Sequence, residues 1–98
     1  MFKAIDVWRR LNNGGLARFR CFEVLPNQGY CVQSVDFYNE PLDVKRMQEF
    51  DRQFIELLLE AAPNRENETY RTLEEAIANH ELDFRQFEDD IEMDRNGD

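Results

Sequence analysis

Three side chains in this sequence have the chemistry to start a covalent reaction: Cys21, Cys31 and His80. A nucleophile needs a base within hydrogen-bond reach, and that base needs a group to orient it. Both cysteines fall in stretches that read as strands, on the same face as Phe19, which is the inward face. There a cysteine serves more often as a small hydrophobe than as a thiolate. His80 falls on the apolar edge of a short helix close to its end, where imidazole commonly satisfies a backbone carbonyl. No local signature links either cysteine to a histidine. A Cys/His-dependent enzyme is the weakest of three functional readings, and the chain is expected not to be an enzyme. A disulfide is not expected either. Cys21 should face Val35, which leaves Cys31 about 13 Å away along the strand, and a bridge needs Cα atoms within about 7 Å.

Metal and cofactor chemistry find little to work with. One His and two distant Cys do not make a zinc set. The run Glu92–Asp98 alternates carboxylates and an amide much as a calcium loop does, but it opens with Glu rather than Asp. A solvated acidic tail is the simpler reading. Gly14-Gly15 lacks the Lys-Ser/Thr of a phosphate loop and the spacing of a dinucleotide fingerprint. No cofactor is expected.

The elements that must carry these residues are legible from period and punctuation. Residues 16–25 and 30–38 are rich in aromatic and β-branched types around Pro26-Asn27-Gln28-Gly29, which predicts a hairpin. The expected register pairs Phe19 with Phe37, Arg20 with Asp36, Cys21 with Val35 and Val24 with Val32. Residues 2–11 read either as a short helix, on the stripe Ala4, Ile5, Trp8 and Leu11, or as a strand joined through Asn12-Asn13-Gly14-Gly15. The strand is preferred, with Trp8 beside Phe19 and all three of Trp8, Phe19 and Phe37 turned inward. It does set Arg9 against Arg18. Beyond Pro41 the period becomes helical: Met47, Phe50, Phe54, Leu57, Leu58 and Ala61 mark one long helix over about 42–62, expected to bury its C-terminal end most deeply. Residues 63–71 read as a polar connection. Thr72 with Glu75 opens a short helix over about 73–80 as a capping box, and Asp83 with Gln86 opens another over about 84–92. The predicted fold is α+β: a three-stranded antiparallel meander (2–11, 16–25, 30–38) packed on one long and two short helices. Residues 1–92 form a single domain and 93–98 an acidic flexible tail.

If the helices cover only the Phe19 face, the opposite face shows Arg9, Arg18, Arg20, Phe22, Val24, Tyr30, Val32 and Tyr38. This aromatic and aliphatic patch beside a basic strip is the candidate binding surface. Its alternative is to lie under a helix or against the same face of a second copy. The leading functional reading is a small non-enzymatic protein-interaction module: an adaptor, a regulator, or an inhibitor of the immunity-protein kind. It would bind through that sheet face or through an acidic helical surface. The second reading is single-stranded nucleic-acid binding, with aromatics and Arg stacking on bases.

Charge decides between these readings. The 98 residues carry a formal charge of −9, and 42% are hydrophobic, enough for one core. Residues 1–39 hold five basic and three acidic side chains, while residues 40–98 hold seven basic and eighteen acidic. Such a balance disfavours polyphosphate partners and suits a basic protein partner. No apolar run reaches the roughly 20 residues of a membrane span. With no secretion signal and two cysteines expected to stay reduced, the protein is placed in the cytoplasm.

Overall fold

A computed structural model describes residues 1–81. Strands β1 (Phe2–Arg10), β2 (Leu16–Val24) and β3 (Tyr30–Tyr38) form one antiparallel sheet in the order β1-β2-β3. Helix α1 spans Val44–Glu60, α2 is a single turn at Pro63–Glu66, and α3 occupies residues 73–81. The architecture is the α+β meander predicted. The second C-terminal helix (84–92) and the acidic tail (93–98) lie outside the described residues.

The ambiguous segment 2–11 is a strand. Its turn closes through Leu11, whose N–H donates to the Gly15 carbonyl at 2.8 Å, while Asn13 Oδ1 accepts from the Gly15 N–H at 2.9 Å. In the second hairpin Gly29 has φ +98, and a Cβ there would lie 2.7 Å from the Tyr70 carbonyl oxygen. Glycine is required because Tyr30 and Tyr70 exchange two backbone hydrogen bonds of 2.8 Å beside it. The polar connection 63–71 therefore holds α2 and adds a bridge to the edge of β3.

Both predicted registers need correction. In the first hairpin Val7, not Trp8, faces Phe19, and Trp8 faces Arg18. This one-residue shift replaces the Arg9–Arg18 repulsion with Arg9 against Ala17, and it lets Arg18 donate to Asp6 at 2.7 Å. In the second hairpin Phe19 faces Val35, Arg18 faces Asp36 and Ala17 faces Phe37. Between Arg20 and Cys21 the register slips, and Gln33 is left without a partner. An extra residue in one strand reverses every later side chain. Val32 thus joins Cys21 on one face, and Cys31 faces Phe22 on the other.

The sheet is covered on both sides. On one, Ala17, Phe19, Cys21 and Val32 pack with Ala76 and Ile77 of α3, flanked by Ile5, Val7, Leu11, Val35 and Leu73. Thr72 Oγ1 accepts from the Glu75 N–H at 3.1 Å, the capping bond the sequence predicts. On the other face α1 lies across β2 and β3. Phe54 stacks on Phe22 with ring centroids 5.4 Å apart, and Phe50 meets Tyr38 edge-on at 5.6 Å. Asp43 caps α1 by accepting from the Arg46 N–H.

Candidate functional site

The residues assigned to one binding patch are divided between the two faces of the sheet. Arg20, Phe22, Val24 and Tyr38 are buried on the α1 side, where Arg18 is half-buried. Val32 is buried in the α3 core, and Tyr30 packs half-buried against it. Arg9 is exposed, but it belongs to the α3 side too: its guanidinium lies 5.5 Å from the Phe19 ring centre and pairs with Glu81. Ile5 of β1 also packs in the α3 core. The open aromatic and basic face does not form, because α1 occupies it and the true register sends Tyr30 and Val32 elsewhere. With it goes the platform for stacking bases.

The arginines on the α1 side are neutralised within the fold. Arg20 is 4% exposed. It donates from Nε to Asp36 at 2.8 Å and from NH2 to Asp51 of α1 at 2.6 Å, and lies 4.8 Å from the Phe54 ring centre. Burial opposes its charge, but the bonds to Asp51 and Asp36 outweigh that and hold the guanidinium above its ordinary pKa. Arg18 sits 5.0 Å over the Trp8 ring, donates to Asp6, and approaches Asp51 at 3.7 Å. Three carboxylates thus surround two guanidiniums, which leaves no positive charge for a phosphate. Asp51 joins helix to sheet.

The two thiols are structural. Cys21 and Cys31 are free and buried. Cys21 Sγ donates to the Phe19 carbonyl at 3.7 Å on the α3 side. Cys31, opposite Phe22, lies across the sheet from His80, whose ring meets Phe19 edge-on at 6.5 Å. Burial pushes the Cys21 thiol up to about 12 and raises that of Cys31. Alkylating reagents are therefore expected to label neither cysteine in the folded state at pH 8, as mass spectrometry against a urea-unfolded control would show. The linkage has a definite sign. The unfolded Cys21 thiol ionises near pH ~8.5, so its contribution is intact below that pH and is lost as pH rises towards about 12. Urea midpoints should fall between pH ~8.5 and ~11, more steeply for wild type than for Cys21→Ala. Equal slopes would place Cys21 in a wetter site than this one.

What the structure leaves open is α1 itself. No residue of this helix is buried. Leu57 lines a cleft with Gln33 of β3, whereas Asp51 reaches towards Arg18 and Trp8 at the β1 side. Helical spacing turns Val44, Ile55 and Leu58 to that β1 side. There Val44 is 64% exposed and Ile55 56%, with Leu58 also open; Leu59, 82% exposed, lies beside Gln53, Glu56 and Glu60, and Trp8 of β1 is 53% exposed. The expectation that α1 buries its C-terminal end most deeply does not hold. Phe50, Asp51 and Phe54 hold the helix at its middle, and both ends are open, at Val44 and at Leu57-Leu58-Leu59. The signal was in the sequence. Three consecutive leucines point about 100° apart around a helix, so one sheet cannot bury them all.

Among the described residues no three His, Cys, Asp or Glu side chains converge as a metal site requires, and no helix is long and apolar enough to cross a membrane. No protein-family model, curated protein or solved structure matches the chain.

Proposed function

We propose that this protein is a non-enzymatic interaction module of the cytoplasm whose contact element is α1. One observation carries the reading: an amphipathic helix with large aliphatic side chains at Val44, Ile55, Leu58 and Leu59 leaves them in water, and Trp8 of β1 is exposed as well. Exposed apolar surface of this kind marks docking sites in soluble proteins. Exposed acidic side chains at Glu66, Glu68, Glu74 and Glu75 suit a partner rich in Lys and Arg. Reduced, buried Cys21 and Cys31 support a cytoplasmic setting.

The test is the double variant Ile55→Asp with Leu59→Asp. Both positions are exposed, so thermal stability should hold within about 0.5 kcal/mol of wild type. A stoichiometric complex recovered with wild type from the native proteome, or formed by the protein with itself, should be lost. A complex that survives both substitutions, or a wild type that forms none, sinks this reading.

A further inference from the structure

We infer that the occupant of the α1 flank is a second copy of this chain, its α1 packed antiparallel to the first across a two-fold axis near residues 50–51. The inference rests on the proposed role of α1 as the contact element and names its partner.

The argument is one of self-complementary charge. Lys45, Glu49, Arg52 and Glu56 recur at i, i+4, i+7 and i+11, so they form a single row along α1 beside its exposed apolar flank. The row is exposed. Within one chain Arg52 pairs with Glu49 at 2.7 Å and approaches Glu56 at 3.9 Å. Read forwards the signs run plus, minus, plus, minus; read backwards they invert. An antiparallel copy therefore sets Lys45 against Glu56 of the second copy and Glu49 against its Arg52, and the two-fold repeats both contacts. A parallel copy would set like charge against like at every position. Apart from its Asp43 cap, the helix is charged against its own dipole. Its first turn holds Lys45 and Arg46 and no acidic residue, while its last turn ends in Glu60 and holds no basic one. Beside an antiparallel neighbour each mismatched terminus lies next to the opposite charge and the opposite dipole end.

The apolar residues fit the same pairing. Leu42 and Val44 of one copy meet Leu58 and Leu59 of the other, with Ile55 on the same flank. All five are among the exposed hydrophobic side chains. Reciprocal contacts of this kind define an isologous, closed interface, so the assembly stops at a dimer.

The experiment uses the full chain and analytical ultracentrifugation. Wild type should sediment as a dimer with a Kd in the micromolar range or tighter. Lys45→Glu and Glu56→Lys substitute exposed residues and leave the fold intact, which circular dichroism would verify. Each puts two like-charged contacts into the dimer and should weaken it about 10- to 100-fold. Mixed in equal amounts, the two variants carry opposite charges at these facing positions and should form a heterodimer of near wild-type affinity. Failure of the mixture to recover association overturns the antiparallel arrangement. A dimer indifferent to both charge variants lies elsewhere on the surface and overturns the inference. So does a wild type monomeric up to about 500 μM. In that last case, a different protein captured by wild type and lost with Ile55→Asp and Leu59→Asp would leave α1 standing as the contact element, whereas no α1-dependent association at all would remove both readings.

Discussion

Replacing Arg20 with Met is expected to destabilise the fold by about 3–5 kcal/mol, a large share of the roughly 5–15 kcal/mol available to a domain of this size. Arg20 is almost fully buried between strand and helix, and Asp36, also buried, is bonded to its Nε at 2.8 Å. Methionine fills much the same volume but leaves the Asp36 carboxylate without its partner in a dry site, and that uncompensated charge accounts for most of the loss. The double variant Arg20→Met with Asp36→Leu removes the orphan and should recover most of the stability, since apolar replacement of a whole buried pair is often neutral or better. Asp51→Asn, at a side chain 63% exposed to water, should cost no more than about 1 kcal/mol. It would loosen α1 rather than unfold the sheet. Urea denaturation of wild type, the two single variants at Arg20 and Asp36, and their combination gives the coupling directly as a double-mutant cycle. If Arg20→Met alone costs less than about 1 kcal/mol, water reaches the pair and the site is not dry.

Phe22→Ala is the second large effect, about 3–5 kcal/mol. Phe22 is 2% exposed, lies parallel to Phe54 at an interplanar angle of 7°, and meets Phe2 edge-on at 6.2 Å. Its removal opens a cavity at the place where α1 rests on the sheet, and the surrounding strand cannot collapse into it. Phe54→Ala removes the other ring of the stack but should cost less, because Phe54 is half-buried and water can take its place. Trp8, the sole tryptophan, reports on the outcome. It lies under Arg18 and 5.6 Å from Tyr38, itself in contact with Phe50 of α1. A shift in Trp8 emission ahead of the loss of far-ultraviolet dichroism would show α1 leaving before the sheet melts. Coincident transitions would show helix and sheet to be one cooperative unit.

Much of the fold is legible in the chain, for reasons that are local. Asn13-Gly14 supplies the turn that makes residues 2–11 a strand. The spacing of Met47, Phe50, Phe54 and Leu57 fits no strand period. Thr72 and Glu75 mark the start of α3 three residues apart, and Leu73, Ala76, Ile77 and His80 form the side it turns inward. Each signal acts over a few residues, where backbone sterics and hydrogen bonding settle the matter.

The candidate surface was less legible, because it depends on two features with no local mark. One is register. Trp8 and Val7 are both plausible partners for Phe19 by residue type, and a slip of one exchanges the faces of the whole strand. The unpaired Gln33 does the same to Val32 and Cys31. The other is the seat of α1. Its contacts join residues far apart in sequence, Phe22 with Phe54 and Arg20 with Asp51, and nothing in the chain near Arg20 announces a carboxylate 31 residues later.

Alone, then, the amino-acid sequence determined the three strands, the long helix α1 and the short helix α3 in their order, the burial of the two thiols, and the surplus of aliphatic residues on α1. Only the tertiary structure decided that α1 closes over the arginines, and so which residues remain in water. The first set follows from interactions between near neighbours. The second follows from pairings across the sheet and between layers, where several arrangements satisfy the same local preferences and the balance of buried charge and ring packing selects one.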